Sequence, residues 1–223
     1  MKNKVLLRTA AIMLTVGLIN AAASLVFVLG LPETVPTHFD AKWICNDTGS
    51  RWLGMGISAI LLVLVPVFLL VERSGKNADK NGRAMSVTML AVEVLLVAVN
   101  WTMLFIMDSG AKLGDKISIS YGWLFSVGFG ALFTIIGNYL PTVRQNRTLG
   151  LKAPWTLSNE NCWNLSHRFA GRLMVVSGLL LIAAGIVMNI AGAGMWLHYV
   201  VGMTVIFAVM AVSLGYSYAK RNA

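Results

Sequence analysis

Six apolar runs, almost free of charge, constrain this chain more than any other feature; they fall at residues 9–30, 53–71, 84–107, 121–140, 173–191 and 197–218. A helix needs about 20 such residues to cross a hydrocarbon core of about 30 Å. Backbone polar groups in lipid must be satisfied within the segment itself, which selects helices. The expected fold is therefore all-α, a polytopic membrane bundle of six transmembrane helices. With 57% of residues hydrophobic and only 12% charged, soluble globular, disordered and collagen-like classes are excluded.

The net charge of +9 does not point to nucleic acid, because the 18 Lys and Arg are scattered over short loops. They segregate by side instead. One set of alternate segments carries Lys2, Lys4, Arg8, Arg73, Lys76, Lys80, Arg83, Arg144, Arg147, Lys152, Arg168, Arg172, Lys220 and Arg221. The other set carries only Lys42, Arg51, Lys112 and Lys116. Cations are retained on the cytoplasmic side during insertion, so both termini are expected in the cytoplasm. Cys45 and Cys162 then fall on opposite faces and are not expected to pair. A signal peptide cleaved near Ala21, Ala22 and Ala23 is the competing reading of the first run, but apolar residues continue through Gly30.

Two loops are long enough for structure of their own, residues 31–52 outside and 141–172 inside. Each lies between the first two spans of a three-span half, and three being odd, the halves would have opposite orientations. The last two spans are separated only by residues 192–196 and should form an antiparallel hairpin.

Glu93 lies about nine residues into the third span, near the bilayer midplane at about 1.5 Å per residue. A carboxylate there must be protonated, hydrogen-bonded or open to water, and in each case it points into the bundle. It reads either as a proton-binding or ligand-contacting group or as a neutral interhelical contact. Asn100, seven residues on, shares its face, and Asn20 lies at comparable depth. Gly171, Gly178, Gly185 and Gly192 recur every seven residues along nearly one stripe, which lets another helix approach closely. Packing within the chain is the first reading of that stripe, and a dimerisation or docking face the second.

In the internal loop, Arg144, Arg147 and Lys152 beside Trp155 suit a lipid headgroup region. Ser158 is a plausible cap for a short interfacial helix carrying Trp163 and His167 on one face. In the external loop, His38, Asp40, Cys45 and Asp47 match no metal-ligand spacing, so no metal is assigned. Residues 46–49 read as a turn, with an Asn46-Asp47-Thr48 sequon. No zinc-protease, nucleophile-elbow or Walker pattern occurs, and neither enzymatic activity nor a cofactor is expected.

Gly137, Asn138, Tyr139, Pro141, Asn146, Gly150, Leu151, Pro154, Trp155, Thr156, Leu157, Trp163, His167, Arg168 and Gly171 together resemble the SdpI family of membrane immunity proteins. Pro36, His38, Phe39 and Asp40 resemble the Pro-x-His motif of a domain of unknown function that often precedes the SdpI region. The resemblance divides the chain into an N-terminal membrane region, residues 1–83, and an SdpI-like region, residues 84–223. Lys152 and Ala153 stand where the family usually shows Arg and Thr, and Ser166 stands where it shows Thr. Lys in place of Arg loses a planar bidentate fork.

The resemblance implies a multi-pass protein of the bacterial cell membrane, in contact with lipid. It would give resistance to a secreted peptide toxin of the sporulation-delaying type and retain a cytoplasmic autorepressor when toxin is present. Pro154, Trp155, Thr156, Trp163, His167 and Arg168 would then organise the cytoplasmic face, Glu93 the polar core, and His38 and Asp40 the ligand-facing loop. The rival reading is a small proton-coupled secondary transporter using Glu93.

Overall fold

A computed structural model describes residues 2–40, 42–73, 78–117 and 121–223; Lys76 lies outside the described residues. The fold is mostly helical, and six of its helices are long and apolar enough to span a membrane. The first half runs through helix α1 (Lys2–Gly30), strands β1 (Thr34–Phe39) and β2 (Cys45–Ser50), a 3₁₀ turn (Arg51–Met55), α2 (Gly56–Arg73) and α3 (Ala78–Met107). The second half runs through α4 (Gly122–Tyr139), a 3₁₀ turn (Leu140–Thr142), a short α5 (Pro154–Ser158), α6 (Glu160–Ile190) and α7 (Met195–Ala219). Helices α1, α2 and α3 pack on one another, as do α4, α6 and α7, and α3 packs against α4 to join the two groups.

Polar side chains set the register of the first group. Asn20 on α1 donates from Nδ2 to Ser58 Oγ on α2 at 3.0 Å, and Ser58 donates to Asn100 Oδ1 on α3 at 3.3 Å. Asn100 Nδ2 donates to Ser24 Oγ at 2.9 Å, and Trp101 Nε1 to Asn20 Oδ1 at 3.1 Å. Each of the three helices is thereby tied to the other two, where no water competes for the bonds.

Small residues set the second group. A Cβ on Gly178 would lie 2.5 Å from the carbonyl oxygen of Gly130, and one on Gly171 would lie 2.7 Å from that of Gly137. Gly185 meets Ser126 in the same way. The stripe therefore faces α4 within the chain, which leaves these three glycines no free face for a partner. Gly192 does not join them. It sits in the α6–α7 turn at φ +68°, with nothing within 4 Å of its Cβ position, and serves as the left-handed residue that ends the helix.

Three expectations need correction. The fifth span does not begin near residue 173 after a separate interfacial helix; α6 is one continuous helix from Glu160. Its cap is Asn159, whose Oδ1 accepts from the N–H groups of Asn161 (2.9 Å) and Cys162 (3.1 Å), whereas Ser158 closes α5. Residues 46–49 are not a turn but lie in β2, antiparallel to β1, with Thr34 opposite Ser50 and Val35 opposite Gly49.

Candidate functional site

The chain direction alternates with each span, so the β-hairpin and the α3–α4 connection share one end of the bundle, and the 143–159 loop lies at the other. Bonds between Cys45 N–H and Asp115 O (2.9 Å) and between Gly114 N–H and Cys45 O (2.8 Å) join the two segments at the hairpin end. Arg51 at the foot of the hairpin donates to the carbonyls of Leu31 (2.7 Å) and Leu29 (3.3 Å), placing a cation on the negative end of α1. Trp43, in the left-handed region at φ +62°, stacks on Tyr199 of α7, with ring centroids 6.4 Å apart. The hairpin is thus docked on both halves.

Asp40 and His38 are occupied within the hairpin. The carboxylate of Asp40 accepts from the N–H groups of Ile44 (2.9 Å) and Lys42 (2.8 Å), and these bonds, Ile44's first, hold its carboxyl below the ordinary aspartate range. His38 Nδ1 bonds Asn46 Oδ1 and the residue is exposed. Among the described residues, no three His, Cys, Asp or Glu side chains converge as metal ligands, and Cys45 and Cys162 are free and buried.

Glu93 is only 1% exposed, and its Oε1 has no hydrogen-bond partner. It lies on α3 about two turns from Asn100 and is not one of the bonded members of the Asn–Ser cluster. A second buried polar group escaped sequence reasoning. His198, fully buried near the start of α7, has Nδ1 3.1 Å from Ser126 Oγ on α4, and its Nε2 has no partner. A single His in an apolar run carries no spacing signal; only the α4–α7 contact brings Ser126 to it.

The remaining candidates converge at the far end of the bundle. Asn146 folds the loop on itself: its Nδ2 donates to the carbonyls of Arg144 (2.7 Å) and Leu149 (3.1 Å), and its Oδ1 accepts from the N–H groups of Thr148 and Leu149, both 2.7 Å. Asn81 on α3 forms a reciprocal pair with the Arg144 backbone at 2.7 and 2.9 Å, which latches the first half to the loop. Trp163 Nε1 donates to Val143 O at 2.8 Å.

His167 stacks on Trp163 with centroids 3.9 Å apart, its Nδ1 donates to Trp163 O at 2.8 Å, and its Nε2 accepts from Leu151 N–H at 3.0 Å. One donor and one acceptor define the neutral Nδ1–H tautomer. Gly150 makes this approach possible: its φ of +118° is open to glycine, and a Cβ there would strike His167 Nε2. Thr156 accepts from Ala153 N–H (2.9 Å) and lies 2.8 Å from Leu151 O, where its hydroxyl can donate; Pro154 supplies the first turn of α5, where the N–H that proline lacks is not needed. Trp155 Nε1 donates to Ser217 Oγ on α7 at 3.0 Å.

The motif is therefore a hydrogen-bonded knot joining α3, α6 and α7 to the loop. Trp163, His167 and Thr156 are buried in it, whereas Arg168 is exposed and has no hydrogen bond or ion pair among the described residues. Of the departures from the family pattern, Ala153 and Ser166 are buried, and Lys152 is exposed with Nζ on Thr148 O at 3.2 Å.

Residues 142–216, which include the loop side of this knot, α6 and most of α7 but not Asn81 or Ser217, match the model of the SdpI/YfhL protein family. The chain is also 25% identical over 164 residues to the Immunity protein SdpI of Bacillus subtilis (strain 168), an alignment covering 71% of this chain and 72% of that one. No solved structure matches the chain. The protein is a multi-pass protein of the bacterial cell membrane whose residues 142–216 are similar to the SdpI/YfhL protein family.

Proposed function

We propose that this protein confers immunity to a secreted, membrane-active peptide toxin of the sporulation-delaying type, and that it does so without enzymatic chemistry. The similarity to the Bacillus subtilis immunity protein carries this reading. The segregation of Lys and Arg supports placing the hairpin outside and the knot in the cytoplasm. In that orientation toxin meets the His38 to Asp40 hairpin or the spans, and the exposed Arg168 beside the knot offers the surface on which an autorepressor would be held. The knot ties α3, α6 and α7 to one loop, so a displacement of the spans by bound toxin would reach the cytoplasmic face.

The test is plating survival of a toxin-sensitive Gram-positive host expressing the protein, with Glu93→Gln, His167→Ala and Arg168→Ala at matched membrane abundance. Wild type protects; His167→Ala loses protection through the knot, while Arg168→Ala keeps protection but loses toxin-dependent retention of a repressor. Failure of wild type to protect overturns the reading.

A second reading has one observation of its own. A buried acid with an unpartnered oxygen is what a proton-coupled carrier requires of its coupling site, and Glu93 has both properties. Proton flux that Glu93→Gln abolishes at unchanged abundance would favour transport over immunity.

A further inference from the structure

At the hairpin end of the bundle, some charged side chains are engaged within the chain and others are free. The tip is engaged: Asp40 holds the Ile44 and Lys42 N–H groups, His38 bonds Asn46, and Asp47 Oδ1 accepts from Thr48 N–H at 2.8 Å. At the foot, Glu33 and Lys112 are held through backbone atoms alone. Glu33 O accepts from Arg51 N–H at 3.1 Å, and Lys112 N–H donates to Asp115 Oδ2 at 2.9 Å. Both side chains are exposed, and neither has a hydrogen-bond or ion-pair partner among the described residues.

Two open depressions of about 470 and 500 Å³ adjoin at this foot and share Thr34 and Thr48. These two threonines stand on one face of the sheet, since Thr34 pairs with Ser50 and Pro36 with Thr48. Their hydroxyls are unbonded among the described residues. Glu33 lines the first depression and Lys112 the second, whose floor is Val35, Pro36 and Met107 and whose rim carries the exposed Leu113. From Glu33 to Pro36 the chain advances about 10 Å, the length of about three extended residues. Arg51 also lines the first depression, but its guanidinium is occupied by the Leu29 and Leu31 carbonyls and lies over the Trp52 ring.

Acid, hydroxyls, apolar floor and base follow one another along this groove, with the two free charges at opposite ends. That order complements an extended peptide segment bearing a base at one end and a carboxylate at the other. A phospholipid presents its charged groups together, on one side of its chains, and matches it less well. We infer that the secreted peptide lays one extended segment along this groove, a basic group on Glu33, apolar side chains on the floor and a carboxylate on Lys112. The inference rests on the immunity reading and moves recognition from the tip of the hairpin to its foot. Arg51 on α1 and the Cys45 bonds to Asp115 and Gly114 hold the two walls in place, so the groove is preformed.

The test uses the full chain in lipid nanodiscs with labelled sporulation-delaying peptide as the probe, beside plating survival. Wild type is expected to bind and to protect. Glu33→Gln with Lys112→Gln, which removes two unbonded side-chain charges, is expected to bind about tenfold more weakly and to protect less. Bound peptide is expected to slow labelling of Leu113→Cys by a membrane-impermeant maleimide more than that of Lys42→Cys at the tip; Cys45 and Cys162 are buried. Protection without binding, a double variant equal to wild type, or Lys42→Cys shielded as much as Leu113→Cys would overturn the groove and leave immunity standing. A wild type that neither binds nor protects would overturn both.

Discussion

Two glycine-to-alanine substitutions on adjacent spans should shift stability in opposite directions. In a helix interior, replacing Gly by Ala gains about 0.8–1.0 kcal/mol from reduced backbone freedom in the unfolded chain. Gly215 on α7 has nothing within 4 Å of its Cβ position, so Gly215→Ala should realise that gain. At Gly178 the new methyl would lie 2.5 Å from Gly130 O and 2.8 Å from Thr134 N, both of them backbone. Carbon contacts settle at about 3.5–4.0 Å, so α4 and α6 would have to part by about 1 Å. Parting also loosens the facing pairs at Gly130 and Gly137. Overpacking costs about 1–3 kcal/mol, and a clash with backbone, which cannot swing aside, belongs at the upper end of that range, so a net loss of up to about 2 kcal/mol remains after the propensity gain. Thermal unfolding of purified protein in one detergent, followed by circular dichroism, should show Gly215→Ala above wild type and Gly178→Ala several degrees below it. Gly178→Ala at or above wild type would refute the close α4–α6 approach.

Further outcomes follow from the hydrogen bonds. His167→Phe keeps a ring against Trp163 but leaves Leu151 N–H unpaired; a cost of about 1–3 kcal/mol and faster amide exchange at Leu151 are expected. Asn100→Leu removes two bonds of the α1–α3 cluster and should cost about 1 kcal/mol in a denaturing-detergent titration, with no effect on the α4–α6 pair. Because the folded pKa of Asp40 is depressed, its contribution is fully present above the ordinary aspartate value and is lost as pH falls through the lower folded value. Amide exchange at Ile44 and Lys42 should therefore accelerate in acid in wild type, while in Asp40→Asn that dependence should be absent.

The spans were legible in the sequence because the cost of an unsatisfied backbone in lipid leaves few alternatives. Three of the four glycines of the stripe, Gly171, Gly178 and Gly185, do face α4, whereas Gly192 keeps the seven-residue spacing but lies in the α6–α7 turn. Where reading failed, polar residues misled it. His167, Arg168 and Arg172 interrupt the apolar run, so the first three turns of α6 looked like a separate element, although buried Cys162, Trp163 and His167 anchor them in the bundle. In the hairpin, Pro36 argues against a strand, and Asn46 to Gly49 has the composition of a turn. The pairing is instead fixed by contacts distant in sequence, from Asp115 to Cys45 and from Trp43 to Tyr199. The knot residues could be picked out, but their partners could not: nothing local links Trp155 to Ser217 or Arg144 to Asn81.

The most direct test of the immunity reading is the membrane potential of a toxin-sensitive Gram-positive host during challenge with sporulation-delaying peptide, with and without this protein at confirmed membrane abundance. The account predicts that cells carrying it hold their potential while vector controls depolarise. Equal depolarisation of both would contradict it.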